Sequence, residues 1–486
     1  METVEYDVVV IGGGPAGENA AQYAVEGAQV DGRPMTSAII ERELLGGECS
    51  YWACMPSKAL LRPIAVADVT GDLQGVSTAH VAAKALLERR DYWVSHYDDS
   101  GQETWADGAG IGVVRGDGRL VGERTIRVTS TSGDDVEVRA RRAVVIATGS
   151  AALVPEMYAD ALPWDSRDAT GVVEVPDRLV VVGGGVVACE AAIWMSALGS
   201  EVTLVVRDRR LLGRTEPFAG EAVLAGLRER GITVHLGTEV SDVRRDAPEA
   251  TGIGKVHGGA VTLTTSADEL VADELLLSIG RAPRLDDLGL SSVGLTADDV
   301  TAGRLPEWLH AVGDASGGPP LTHWGKHQAR VVGARIAAAA SGEVAWEPDR
   351  EAPVPQVVFS DPEVASVGMT EAEARDAGHD VVVSRVPTSA AAGTGLLRDT
   401  VVGESQIVVD ATTRLLLGAT FVGVEAGELV HAATVAIVGD VPVHVLRHAV
   451  ASYPTAAELW LRLLEDLPRS FRTPPAMETG QPRSRR

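Results

Sequence analysis

Residues 6–17 read Tyr-Asp-Val-Val-Val-Ile-Gly-Gly-Gly-Pro-Ala-Gly. The unbroken apolar run is too short to cross a bilayer and reads as a strand buried on both faces of a parallel sheet. Gly12, Gly14 and Gly17 follow at the spacing of a dinucleotide-binding turn, and Glu18 to Val25 reads as a helix. In such a turn the first glycine permits the bend, the second admits a pyrophosphate and the third lets helix and strand pack closely. The anion then rests on the helix N-terminus, where unpaired N–H groups and the dipole favour negative charge. The spacing alone is a weak signal in a chain with 53 glycines. Its context is more specific: a second strand, Ser37 to Ile40, delivers Glu41, a carboxylate suited to a ribose diol. The loop from Asp31 to Thr36 lengthens the usual gap.

The same device returns from Leu179 (LVVVGGGVVACEAAIWMSALG), with Gly183, Gly185 and Ala188 in the three positions. Two nucleotides are therefore implied. The second strand of this unit, Glu201 to Val206, runs into Arg207-Asp208-Arg209-Arg210. An acidic residue there would favour the free 2′-hydroxyl of NAD, whereas Arg207 and Arg209 suit a 2′-phosphate, so NADPH is expected. The plainer alternative is a solvated turn in an arginine-rich chain. Ala143 to Gly149 and Leu309 to Asp314 read as further strands that end at a ligand. Beyond Pro353 the texture changes to strands at Gln356–Phe359, Glu404–Val409 and Gly418–Val424, with helices at Ala426–Val438 and Ala456–Leu464, an α+β unit. The tail from Pro468 to Arg486 has no apolar period and is expected to be disordered.

The bulk numbers agree with a multidomain globular chain. Its 486 residues exceed one ordinary core, and 43 basic against 68 acidic residues give a net charge of −25. That charge repels phosphate backbones and anionic lipid, which argues against nucleic-acid and membrane partners. A basic leader with a cleavage pattern is not evident, so the expected location is cytoplasmic.

Of three cysteines, Cys49 and Cys54 stand five apart at a helix start, with Lys58 one turn on. A helix N-terminus and a lysine favour the thiolate that disulfide exchange requires. Zinc would need further ligands nearby, and no metal is expected. Cys189, inside an apolar helix start, reads as a buried inert thiol. With Gly46-Gly47-Glu48-Cys49 through Cys54-Met55-Pro56-Ser57-Lys58, the chain resembles the two-dinucleotide-domain flavoprotein disulfide reductases. Ala147-Thr148-Gly149, Gly280-Arg281-Ala282-Pro283, Gly313-Asp314 and Phe359-Ser360-Asp361-Pro362-Glu363 are also similar to that family.

The resemblance implies an α/β fold with two Rossmann-like domains and a C-terminal α+β dimerisation domain. Residues 1–155 and 281–350 would bind FAD, 156–280 NAD(P), and 351–467 would form a homodimer contact. It implies that Cys49 attacks substrate and Cys54 contacts the flavin. Lys58, paired with Glu190, would balance charge on the ring. Thr148, Gly149, Gly280, Gly313 and Asp314 would complete the FAD site. His323 and Lys326 follow closely and suit a structural role as well as a catalytic one.

One departure concerns the acceptor. The family's C-terminal His-Pro-Thr-x-x-Glu appears as Tyr453-Pro454-Thr455-Ala456-Ala457-Glu458, so the imidazole acid is replaced and the carboxylate kept. A tyrosine of pKa about 10 is a poor base at neutral pH, although its hydroxyl can donate a proton. Mercuric reductases carry tyrosine there too, but with a C-terminal cysteine pair that this tail lacks. Bulky Tyr51-Trp52 between the cysteines narrows access. The leading expectation is an NADPH-dependent reductase of a small disulfide. The alternatives are a quinone-like acceptor reduced directly by the flavin, and a non-catalytic flavoprotein component of an assembly.

Overall fold

The computed structural model describes residues 2–130, 132–345 and 352–474. Strand β1 (Glu2–Ile11) leads into helix α1 (Pro15–Tyr23), and β2 (Ser37–Glu41) returns beside β1 in parallel, with Val8 opposite Ser37 and Ile11 opposite Ile40. Helices α2 (Gly47–Tyr51) and α3 (Cys54–Gly71) follow. Strand β3 (Asp135–Ile146) flanks β1 on the other side, with Ile146 opposite Ile11. Val8, Val9, Val10, Val144, Val145 and Ile146 are wholly buried. Layers cover both faces of the sheet, so an uninterrupted apolar run is what these strands require. Leu309–Ala311 adds to β3 in parallel.

The loop at 31–36 is more ordered than its sequence suggested. Gln29–Val30 and Arg33–Pro34 form a small antiparallel hairpin. Arg33 forks onto the buried carboxylate of Asp7 at 2.7 Å and 2.7 Å, and the Thr36 backbone N–H donates to the same group at 2.9 Å. The Arg33 hydrogen bond holds Asp7 well below the usual carboxylate range, against the cost of its burial.

After helix α4 (Ser166–Thr170), the second unit places β4 (Arg178–Val182) between β5 (Glu201–Val206) and β6 (Glu274–Leu277), all parallel, with Thr233–Leu236 outside β5. Helix α5 (Val186–Leu198) joins β4 to β5 and is buried along most of its length. A three-stranded antiparallel sheet of Val240–Arg245, Val261–Thr265 and Glu269–Ala272 packs beside it. The long helix α6 (Thr322–Ser341) then returns to pack on α1.

The last unit is a five-stranded antiparallel sheet in the order Gln356–Val358, Val364–Gly368, Leu416–Val422, Glu404–Asp410, Val381–Pro387. Helices Ala426–Val438 and Glu458–Asp466 lie against it, the first with the expected bounds and the second beginning two residues later than expected. The expected disorder from Pro468 is corrected in part. Arg469–Arg472 forms a 3-10 turn that buries Phe471, and the Arg414 guanidinium lies 3.6 Å from its ring centroid. A lone aromatic gives no periodicity, so this anchor was invisible to pattern reading. The remainder of that expectation, residues 475–486, lies outside the described residues.

Candidate active site

A cavity of about 2360 Å³ runs along both glycine turns and the cysteine pair. At the first turn Gly12 has φ +107°, and a Cβ there would lie 2.3 Å from the Ala147 carbonyl oxygen. Gly14 caps α1 without a side-chain partner, leaving the first-turn N–H groups open to the cavity. A Cβ on Gly47 would meet the Gly14 Cα at 2.6 Å, so the cysteine segment docks directly on the nucleotide turn. Gly17 packs as tightly against Gly12. Glu41 accepts from the Gly13 and Glu43 backbone N–H groups, both at 2.7 Å, and faces the cavity.

Around the same cavity, Ser150 Oγ donates to Asp314 at 2.5 Å and accepts from Arg281 Nε at 2.8 Å. Thr148 Oγ1 donates to the Arg284 carbonyl at 2.6 Å, and Gln328 accepts from the Gly313 N–H at 2.8 Å. Gly149 and Gly280 have positive φ and line the cavity. This donor-lined cradle and its bare helix terminus fit a dinucleotide.

At the second turn Gly183 has φ +136°, and a Cβ there would stand 2.3 Å from the Ser278 carbonyl oxygen. Gly185 caps α5 without a side-chain bond, and Ala188 packs its methyl wholly inside the core. Arg207, with 78% of its side chain exposed, lines the cavity along with Arg210 and Arg214. Arg209 does not line it, and its stem lies 3.9 Å from the Cβ position of Gly237. The strand ends at Val206, so the two-residue alternation that would aim Arg207 and Arg209 alike no longer holds.

Cys54 opens α3, and Cys49 lies on α2; both are free thiols. Thr322 Oγ1, at the start of α6, lies 3.2 Å from Cys54 Sγ. Lys58 Nζ is 2.7 Å from Glu190 Oε2 on α5 and 4.7 Å from the Phe359 ring centroid. Glu190 Oε1 accepts from the Phe359 N–H at 3.0 Å, which fixes the carboxylate.

The hydrogen bond from Cys49, helped by Thr322 and Lys58, brings Cys54 down against burial. The same bond and burial push Cys49 well up. The reduced pair therefore shares one proton between the two sulfurs. Cys189 is wholly buried, and that burial pushes it up to about 12.

Thr322 was missed in the sequence; its only signal is a hydroxyl at a helix start beside His323. His323 Nε2 pairs with the Pro355 carbonyl at 2.7 Å, and both His323 and Lys326 line the cavity.

Tyr453 and Glu458 are not brought to this cavity within one chain. Tyr453 is 77% exposed on the last unit. Glu458 is buried, and its Oε2 has no hydrogen-bond partner among the described residues. No group of three or more His, Cys, Asp or Glu among the described residues is arranged to hold a metal ion.

Residues 6–329 match the pyridine nucleotide-disulphide oxidoreductase family, and residues 354–463 match that family's dimerisation domain. The chain belongs to the pyridine nucleotide-disulphide oxidoreductases. A dihydrolipoyl dehydrogenase of Haloferax volcanii is 31% identical over 481 residues, covering 95% of this chain and 96% of the relative. A mercuric reductase of Staphylococcus aureus is 30% identical over 473 residues, covering 93% and 81%. The HOCl-induced flavoprotein disulfide reductase RclA from Escherichia coli shares the fold, with a TM-score of 0.79 at 24% identity over 95% of this chain and all of that one. This oxidoreductase family uses FAD and a pyridine nucleotide, and the dimerisation domain supports a homodimer. Among the described residues, no helix is long and apolar enough to cross a membrane.

Proposed function

We propose that this oxidoreductase carries electrons from NADPH through FAD and the Cys49–Cys54 pair to a small disulfide. The observation behind this reading is the cysteine pair beside Lys58, Glu190 and Thr322, on the cavity that both glycine turns line.

On this reading residues 1–155 and 281–350 hold FAD, 156–280 NADPH, and 351–467 the dimer contact. Gly12, Gly14 and Gly17 admit the FAD pyrophosphate, Glu41 accepts from ribose hydroxyls, and Thr148, Gly149, Gly280, Gly313 and Asp314 line the rest of its seat. Bound there, FAD relays two electrons between nicotinamide and disulfide. Gly183, Gly185 and Ala188 receive the second pyrophosphate, and Arg207 with Arg210 and Arg214 meets a 2′-phosphate. Lys58 supplies positive charge beside the Cys54 thiolate, and Glu190 orients it. Cys49 is the thiol that attacks substrate, as the thiolate formed when its proton passes to Cys54. The proton for the departing thiolate comes from Tyr453 of a second subunit, backed by Glu458, or from water.

Tyr453 in place of an imidazole favours a second reading, in which the flavin reduces a quinone-like acceptor directly. Cys49→Ser separates the two. Loss of NADPH oxidation with a disulfide panel, with quinone turnover kept, supports the first; disulfide turnover that survives the change overturns it.

A further inference from the structure

Helix α4 grips the cysteine segment at two points. Arg167 Nε donates to Glu48 Oε1 at 2.8 Å, and its terminal nitrogens donate to the two oxygens of Glu43 at 2.8 and 3.0 Å. The same guanidinium lies 5.5 Å from the Trp52 ring centroid. One turn on, Thr170 Oγ1 donates to the Trp52 carbonyl at 2.8 Å. Trp52 stacks in turn on Tyr97, with ring centroids 4.5 Å apart. Glu48 directly precedes Cys49, and Trp52 stands between the two cysteines, so one pinned point leads into the redox loop and the other lies within it.

The grip has a rigid base. Asp165 and Asp168 close a capping box at the start of α4, and Trp194 Nε1 donates to the Ala169 carbonyl at 3.0 Å. Thr170 is buried, and Arg167 keeps 16% of its side chain exposed.

Closing a disulfide from two thiols depends on how often the open loop brings the sulfurs together, so a pinned loop has a higher effective concentration of one thiol at the other. We propose that Arg167 and Thr170 are positioning residues that set the redox equilibrium of Cys49 and Cys54 by holding the segment between them ready to close. This rests on the reading of that pair as redox-active.

In the reaction with oxidised dithiothreitol, the Cys49 and Cys54 thiols lose two electrons and two protons as the Sγ–Sγ bond forms. The dithiothreitol S–S bond breaks and takes up both.

Holoenzyme is equilibrated anaerobically over graded ratios of reduced to oxidised dithiothreitol, quenched in acid, and alkylated Cys49 and Cys54 are counted by peptide mass spectrometry. Thr170→Val changes no charge and removes one hydrogen bond; its disulfide-forming equilibrium constant is expected to fall about fivefold. Arg167→Lys keeps the charge and loses the fork, and is expected to fall about tenfold. Melting temperature and flavin content identify a variant that has not folded, in which case the other decides. Variants that fold and titrate with the wild type overturn the proposal. A wild-type protein whose two cysteines stay alkylatable at every ratio overturns the redox reading itself, and this proposal with it.

Discussion

A cysteine thiol ordinarily titrates at about 8.5 and is mostly protonated at neutral pH. Cys54 escapes that because a donor thiol, a hydroxyl and a cation converge on its sulfur: Cys49, Thr322 and Lys58. Its folded value is depressed, so the thiolate persists to lower pH than a free thiol's would and is lost as pH falls through that depressed value. Thr322→Val should move the 240 nm thiolate absorbance of the reduced protein to higher pH, by up to about one unit for the hydrogen bond removed. An unchanged inflection would show that Thr322 does not act on the sulfur. The cysteines, Lys58 and Glu190 were legible as candidates because they lie in recognisable motifs. Thr322 was not, since 268 positions separate it from its partner.

At the scale of elements, β1, β2, β4 and β5 could be read from their apolar runs because both faces of each strand are covered. The hairpin at 29–34 could not, because it is held by one polar node and not by a pattern. Asp7→Asn removes the anion that Arg33 and Thr36 share and should lower the urea-unfolding free energy by about 2 kcal/mol at pH 7, a figure that allows for the half-exposed arginine. The folded carboxyl is depressed, so its stabilisation is present above the unfolded value of about 3.9 and is lost as pH falls below it. The gap between wild type and variant should therefore narrow in acid. A constant gap between pH 7 and pH 3 would refute this assignment. The 3-10 turn that seats Phe471 shows the same limit, since one buried ring makes no period.

At the scale of the whole molecule, coenzyme choice and acceptor chemistry depend on surfaces that separate segments build together. Arg207→Glu should reduce kcat/KM with NADPH relative to NADH by about tenfold to a hundredfold, the range for a lost charge-assisted hydrogen bond. Arg209→Ala should leave that ratio within about twofold, as surface changes away from a site usually do. Equal effects of both would return the cluster to a solvated turn. Light scattering should give a mass near twice the 50.8 kDa of one chain, because Tyr453 is exposed and does not line the cavity of its own chain. A monomeric mass with full disulfide turnover would remove Tyr453 from the reaction.

By itself the sequence determined the two βαβ glycine turns, the cysteine pair and the family, because each depends on residue types at short fixed spacings. The tertiary structure alone decided which arginines reach the cavity, which hydroxyl meets Cys54, and how Arg167 and Thr170 brace the loop between the cysteines. Those relations join residues far apart in the chain, and a side chain's direction is set by the packing around it, which no local spacing records.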